Sequence, residues 1–401
     1  MRCVSTLVDG DELSPDKVSD QVLGEWDSFQ GDLAFLAATP PMTAALGELT
    51  RRLLDRGVVR KVIGVTAESV AGVSREVEGV PALTAWAIQL PEGSRVETLR
   101  LTSSEAPLGD WIDPVRIDPT AASCSSLAEQ DKGKLVRLLA DPVSFAADEW
   151  FSRLEAEKIG LRVIGGMASG ANRPGGNRLI IDGAVVQQGA VGVALSGPFV
   201  AETVVSQGCR PIGRHFVITK VDRNILHELG RRPVMEVLRE QLETLSDEET
   251  AKLRNGGLHI GRVINEYQEH FGRGDFLIRN VIGIAEEQYL AISDLPRVGQ
   301  TIQFQLRDAQ TAEEDLNALL GRPELEGTTG ALMFTCNGRG TRLFDQPHHD
   351  AQALSNALGT IPAAGFFAMG EFGPVGGRNF IHGFTASFAL FKPAPDPAAA
   401  I

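Results

Sequence analysis

The sequence is poor in the features that usually place a chain at once. Four cysteines (Cys3, Cys124, Cys209, Cys336) are scattered through 401 residues, with no CxxC pair and no histidine at a zinc-ligand spacing. That argues against a disulfide framework or a structural zinc site, so reduced thiols are expected. Positive charge is in deficit: 38 Lys and Arg against 52 Asp and Glu leave a formal net charge of −14. A nucleic-acid binder would need a concentrated basic surface instead. Long apolar runs are missing too, since the weakly polar stretch 189–201 is about two-thirds of the roughly 20 residues of a membrane span. The first apolar run is broken by Asp9 and Asp11, too early for a signal-peptide core. There is no GKS or GKT of a P-loop, no GxGxxG opening a helix, and no HxH or HExxH pattern, which weakens nucleotide and metal readings. A soluble, cytoplasmic protein is expected.

What is present is glycine, 43 residues of it, often following apolar runs. The placement follows a weak threefold repeat. In the first copy, Leu33–Ala38 is apolar, Thr39-Pro40-Pro41 follows, and Met42, Ala45, Leu46, Leu49 and Leu53 mark one helical face. Gly57 closes that helix, and Val62-Ile63-Gly64 starts a second apolar run ending in Glu68-Ser69. The second copy has Leu135–Ala140, Asp141-Pro142, a helix carrying Trp150, Phe151 and Leu154, then Val163-Ile164-Gly165 and Met167-Ala168-Ser169. The third has Leu332-Met333-Phe334, Cys336-Asn337-Gly338-Arg339-Gly340, a helix with Leu354, Ala357 and Leu358, then Ala364–Glu371.

Strand–helix–strand implies parallel pairs with right-handed crossovers. The segments Ala82–Leu90, Ala190–Leu195 and Phe384–Phe391 follow too closely for a helical crossover and are expected to return antiparallel. Between copies two and three, a helix is predicted at Pro233–Leu245, a capping box at Ser246–Glu249, and strands at Gly257–Val263, Phe276–Ile284 and Thr301–Leu306. The expected fold is α+β, with mixed sheets built from repeated strand–helix–strand plus hairpin units and helices packed on the sheet faces. Two domains are expected, 1–221 (core about 32–220) and 222–392, with a flexible tail at 393–401.

Both strands of a parallel unit end at one sheet edge, where ligands usually bind. That edge gathers Thr39, Glu68 and Ser69 in the first copy, and Asp141 and Ser169 in the second. In the third, Asn337 and Arg339 are expected to face Gly370 and Glu371. A guanidinium that grips a carboxylate, opposite a carboxylate that accepts from an ammonium, suits a free amino acid or similar zwitterion. Pairing of Arg339 with Glu371, or loop capping by either, is the plainer alternative. The glycine-rich loop Glu371–Arg378 allows a ligand close to backbone amides, or is simply a tight turn. Cys336 with His348, His349 or His382 lacks an activating spacing for nucleophilic catalysis, so no catalytic residue and no metal ligand is assigned.

Val62–Ser69 with Arg75–Leu83, and more closely Gly330–Gly340, Ala363–Glu371, Gly373–Arg378 and His382–Ser387, resemble the FIST domains of F-box and intracellular signal transduction proteins. The resemblance spans about 32–392 and implies a sensory module for a small ligand, with amino acids the usual suggestion. Some members bind haem and sense nitric oxide, so haem is the alternative cofactor to none. An enzyme using the same loops is a further alternative. Other members carry kinase, cyclase, chemoreceptor or F-box partners; here a stand-alone sensor with a separate downstream protein is expected. The candidate ligand-binding set is Asn337, Arg339, Gly370, Glu371, Arg378, His382, Glu68 and Ser69.

Overall fold

The computed structural model describes residues 1–10, 13–102, 135–156, 160–253 and 257–395. The chain divides into two compact units: the first holds 1–205, 317–381 and 386–401, the second 206–316 and 382–385. The expected boundary near Asp222 lies at the end of the strand Cys209–Asp222, inside the second unit. The chain leaves the first unit after repeat two and returns to it for repeat three. From residue 396 onward the expected flexible tail lies outside the described residues.

In the first unit the three repeats form the expected parallel pairs: Gly31–Ala38 with Val59–Thr66, Leu135–Ala140 with Arg162–Met167, and Gly330–Cys336 with Ala363–Ala368. The strands Ala82–Gln89, Ala190–Ser196 and Thr385–Pro393 return antiparallel to the first strand of their own pair. Between each pair and its return strand lies a short hairpin that crosses to another repeat. The hairpin after repeat one (Val70–Ala71, Glu76–Val77) joins the repeat-three sheet. That after repeat two (Leu179–Ile181, Ala184–Val186) joins the repeat-one sheet. That after repeat three (Glu371–Val375, Arg378–His382) joins the repeat-two sheet. The exchange is cyclic, and each sheet is completed by its neighbour.

Strand alternation gives every sheet two apolar faces. Leu33, Phe35 and Ala37 of repeat one, Leu135 and Leu139 of repeat two, and Leu332, Phe334 and Phe366 of repeat three share one central core. Its aromatic centre is Phe35, edge-on to Phe334 at 6.1 Å and stacked with Phe366 at 6.3 Å. The opposite faces carry helices. Ala45, Leu46, Leu49 and Leu53 of the helix Thr43–Asp55, with Val18 and Val22 of Pro15–Glu25, cover Ala34, Leu36 and Val62. Trp150, Phe151 and Leu154 of Ala147–Ala156 cover Val136, Leu138 and Val163.

The recurring glycine of the second strands has a packing cause. Gly64, Gly165 and Gly365 stand opposite Leu36, Leu138 and Met333 in the parallel ladders. A Cβ there would lie 3.1, 1.9 and 2.1 Å from the carbonyl oxygens of those residues. Gly165 adds a φ of +148°, which side-chain-bearing residues rarely adopt.

The second unit is antiparallel. Its strands run in the order Cys209–Asp222, Thr301–Arg307, Leu258–Val263, Phe276–Ala285, Tyr289–Ile292, Ile225–Leu229, Arg232–Pro233. Ile225–Leu229 also pairs with Cys209–Asp222, closing six of these strands into a barrel. Ile218, Leu226, Ile260, Ile302 and Phe304 form its core with Val234 and Val237 of the helix Val234–Leu242. The capping box is present: Ser246 accepts from the Glu249 amide while Glu249 accepts from that of Ser246.

Gly165→Ala is expected to lower unfolding stability by at least ~2 kcal/mol, as overpacking and backbone strain combine. Gly47→Ala, inside the helix Thr43–Asp55 with nothing within 4 Å of its Cβ, is expected to gain up to about 1 kcal/mol. Urea unfolding of both variants checks the contrast.

Candidate functional site

The strand ends of the three repeats in the first unit are stitched together. The Phe367 amide donates to the Ser69 carbonyl at 2.9 Å, Met369 to Met167 at 3.1 Å, Met167 to Gly370 at 2.8 Å and Gly170 to Thr66 at 3.2 Å. The Ser169 hydroxyl accepts from the Glu68 amide at 2.9 Å and donates to the Phe367 carbonyl. Repeat two thus bridges repeats one and three through one side chain.

The loops that leave the first strands differ in chemistry. In repeat one, Thr39 Oγ1 accepts from the Ala82 amide and donates to its carbonyl. In repeat two, buried Asp141 accepts from the Ser144 amide and hydroxyl and from Asn177 Nδ2. These polar groups bond within their own repeats. The repeat-three loop Cys336–Gly340 is the one that carries a guanidinium.

Within it, Arg339 is wholly buried, its Nε and Nη2 forked onto Asp350 at 2.8 and 2.7 Å. Phe344 lies over the guanidinium at 5.2 Å. Asp350 is the second residue of the helix His349–Leu358 and also accepts from Thr335 Oγ1. Burial would raise its pKa, but the Arg339 charge and the hydrogen bonds prevail and hold the carboxyl well below the usual range. Glu76 Oε1 caps the same helix, accepting from the Asp350 and Ala351 amides at 2.9 and 3.0 Å. Burial, then the Asp350 charge, pushes Glu76 up to about 8. His348 Nδ1 accepts from the Glu76 amide, and His349 Nδ1 bonds Asp350 while its ring stacks on Phe344.

The expected confrontation of Arg339 with Glu371 is therefore replaced by a buried Arg339–Asp350 pair. Glu371 is buried where its strand begins opposite Gly166. The guanidinium open to solvent is Arg342, 55% exposed, paired with Glu68, 41% exposed. Arg342 Nη1 also donates to the Asn337 carbonyl at 2.9 Å. Beside it, Glu78 accepts from the Thr341 amide and hydroxyl at 3.1 and 2.9 Å. Six of the eight expected residues (Glu68, Ser69, Asn337, Arg339, Gly370, Glu371) belong to the stitched strand ends and the loops leaving them. Arg378 does not: it pairs with Glu155 at a cleft of about 210 Å³ lined by Phe151, Leu154, Leu161 and Asn379. His382 falls in the second unit, buried. Arg342, Glu76, Glu78 and Asp350 are additions to the expected set. Glu76 and Glu78 were legible in one respect, since period two puts both on one face of an extended segment.

The FIST N domain matches residues 32–232 and the FIST C domain residues 235–374. The chain belongs to the FIST family. FIST domains are associated with signal transduction and small-ligand sensing. Two relatives of this FIST protein are the uncharacterized protein Mb0898c of Mycobacterium bovis, 39% identical over 93% of this chain and 92% of its own, and the uncharacterized protein Rv0628c of Mycobacterium tuberculosis, 41% identical over 82% and 83%. Among solved structures, cyanuric acid hydrolase from A. caulinodans aligns over 98% of this chain and 100% of its own at 10% identity, with a TM-score of 0.31. That likeness is too slight to carry an argument.

Asp350→Asn is expected to cost about 3–5 kcal/mol, because it strands the buried Arg339 charge; chemical denaturation reads it. Glu76 in the folded chain keeps its proton to about pH 8, whereas an unfolded glutamate releases it near 4.3. The native state binds more protons between those values, so this group's stabilisation falls as pH rises through the window. Glu76→Gln is expected to flatten the decline in melting temperature between pH 5 and pH 9.

Proposed function

We propose that this FIST protein senses a free amino acid or similar small zwitterion, held where the loops of repeats one and three meet in the first unit. The observation that carries the reading is the open Arg342–Glu68 pair at a strand-end edge. An exposed ion pair is worth about 0–1 kcal/mol, so a ligand displaces it at little cost. The ligand carboxylate takes the Arg342 guanidinium, and its ammonium takes the Glu68 carboxylate. A further group on the repeat-three loop supports the assignment: Asn337 Oδ1 has no hydrogen-bond partner among the described residues and can accept from an ammonium.

The protein is read as a cytoplasmic binder that acts without a cofactor and signals through a separate protein, rather than as an enzyme. In support, the imidazoles near the loop, His348 and His349, are already engaged by Glu76 and Asp350. Among the described residues, Cys3, Cys209 and Cys336 form no disulfide.

Thermal melts against the twenty amino acids are expected to show a rise for at least one. Its amide and its decarboxylated amine are expected to give none, and Arg342→Ala and Glu68→Ala are each expected to remove the rise with little change in the ligand-free melting temperature. A flat wild-type response to every amino acid would contradict the reading.

A further inference from the structure

Arg137 sits within repeat two's first strand, Leu135–Ala140. Alternation divides that strand cleanly: Val136, Leu138 and Ala140 belong to the helix-covered face, Leu135 and Leu139 to the central core. Arg137 shares the second face, so its side chain enters the core enclosed by the three sheets. There Trp86 of the repeat-one sheet and Phe391 of the repeat-three sheet lie against the guanidinium, at 5.0 and 4.2 Å from ring centroid to Cζ. Arg137 has no solvent exposure. Its Nε, Nη1 and Nη2 have no hydrogen-bond acceptor among the described residues.

Among the described residues no counter-charge accompanies it. The ionisable neighbour that acts on Arg137 is Cys3, whose thiol burial pushes up to about 12, so it is neutral at physiological pH. Burial lowers the guanidinium to about 9, which leaves it protonated at neutral pH. Aromatic faces stabilise a cation above and below its plane, but they accept nothing from N–H groups that lie in the plane. A guanidinium carries five such donors. A buried charge left without acceptors costs several kcal/mol, and a methionine of similar length would pack there at no such cost.

We propose that Arg137 is the anchor of an internal site for a small monovalent anion, a halide or a short-chain carboxylate, bound in the guanidinium plane between the three sheets. Two parallel N–H groups of the fork match a carboxylate, and the same edge accommodates a halide. The site is wholly buried against Trp86, Phe391 and Cys3, which selects a small anion over a bulky one. The anion would neutralise a charge shared by the sheets of all three repeats and so couple them. Arg137 precedes the strand end at Ala140 by three residues, roughly 10 Å of extended chain, and this assignment does not depend on the Arg342–Glu68 reading.

The test is the melting temperature of the full chain titrated with sodium chloride, formate and acetate at constant ionic strength, with gluconate as the bulky balancing anion. The wild type is expected to show a saturable rise with at least one of the three small anions, about 5 °C at a hundredfold excess over Kd. Arg137→Met is expected to lose it and Arg342→Ala to keep it. The relative size of the chloride and carboxylate responses tells which anion the site prefers. Equal responses in wild type and Arg137→Met would overturn the proposal, since general salt effects act on both. Should Arg137→Met fail to fold, 15N-arginine spectra of the wild type decide. One Nε–H resonance shifting saturably with a small anion supports the site, and none shifting overturns it.

Discussion

One serine hydroxyl joins all three repeats of the first unit. Ser169 belongs to repeat two, accepts from the Glu68 amide of repeat one and donates to the Phe367 carbonyl of repeat three. Backbone bonds from Phe367, Met369, Met167 and Gly170 reinforce the same closure. Without it, each parallel pair would end in free carbonyls and amides at the edge of an apolar core, and buried backbone groups of that kind must be paired. The cyclic hairpin exchange works to the same end. Because each sheet borrows its last strands from another repeat, no repeat can bury its inner face by itself.

The closure also sorts the charged groups. Arg339 is drawn inside and fixed on Asp350, and Glu76 caps the same helix, so the repeat-three loop is held by buried polar contacts. Arg342 and Glu68 remain in water, where opposite charges exchange partners readily. On the reading proposed above, this arrangement suits a small-ligand sensor: buried contacts hold the loop in place, and the exposed groups proposed to meet the ligand are inexpensive to separate. The position of Glu68 sharpens the point. Its backbone amide belongs to the closure and its side chain to the exposed pair, so a ligand that engages the carboxylate acts directly on the segment that binds the repeats together.

Much of this architecture is legible in residue order. Helical periodicity from Met42 to Leu53 and the apolar runs at Leu33, Leu135 and Leu332 identify the repeats, and the antiparallel return strands follow from loop length. The exchanged hairpins are not legible, because strands such as Val70–Ala71 are too short for periodicity and pair with residues nearly three hundred positions away. The same distance hides the division into units, since repeat three must be seen completing the first unit before the barrel reads as an insertion. The N-terminal run, read only for its early aspartates, is a strand from Arg2 to Asp9 paired in unbroken register with Ala82–Gln89. The candidate residues reach the repeat-three loop, but not the ion pairs that form within it. Arg339 and Arg342 are equivalent in pattern, and only the helix that brings Asp350 alongside decides which one is buried.

The most direct test of the account is hydrogen exchange of the full chain with and without the amino acid that stabilises it most. Slower exchange at Thr66–Val70 and Asn337–Leu343, the two segments that supply Glu68 and Arg342, is the predicted result. Slowing confined to the second unit, or to the residues around Arg378, would contradict the account and move the ligand elsewhere.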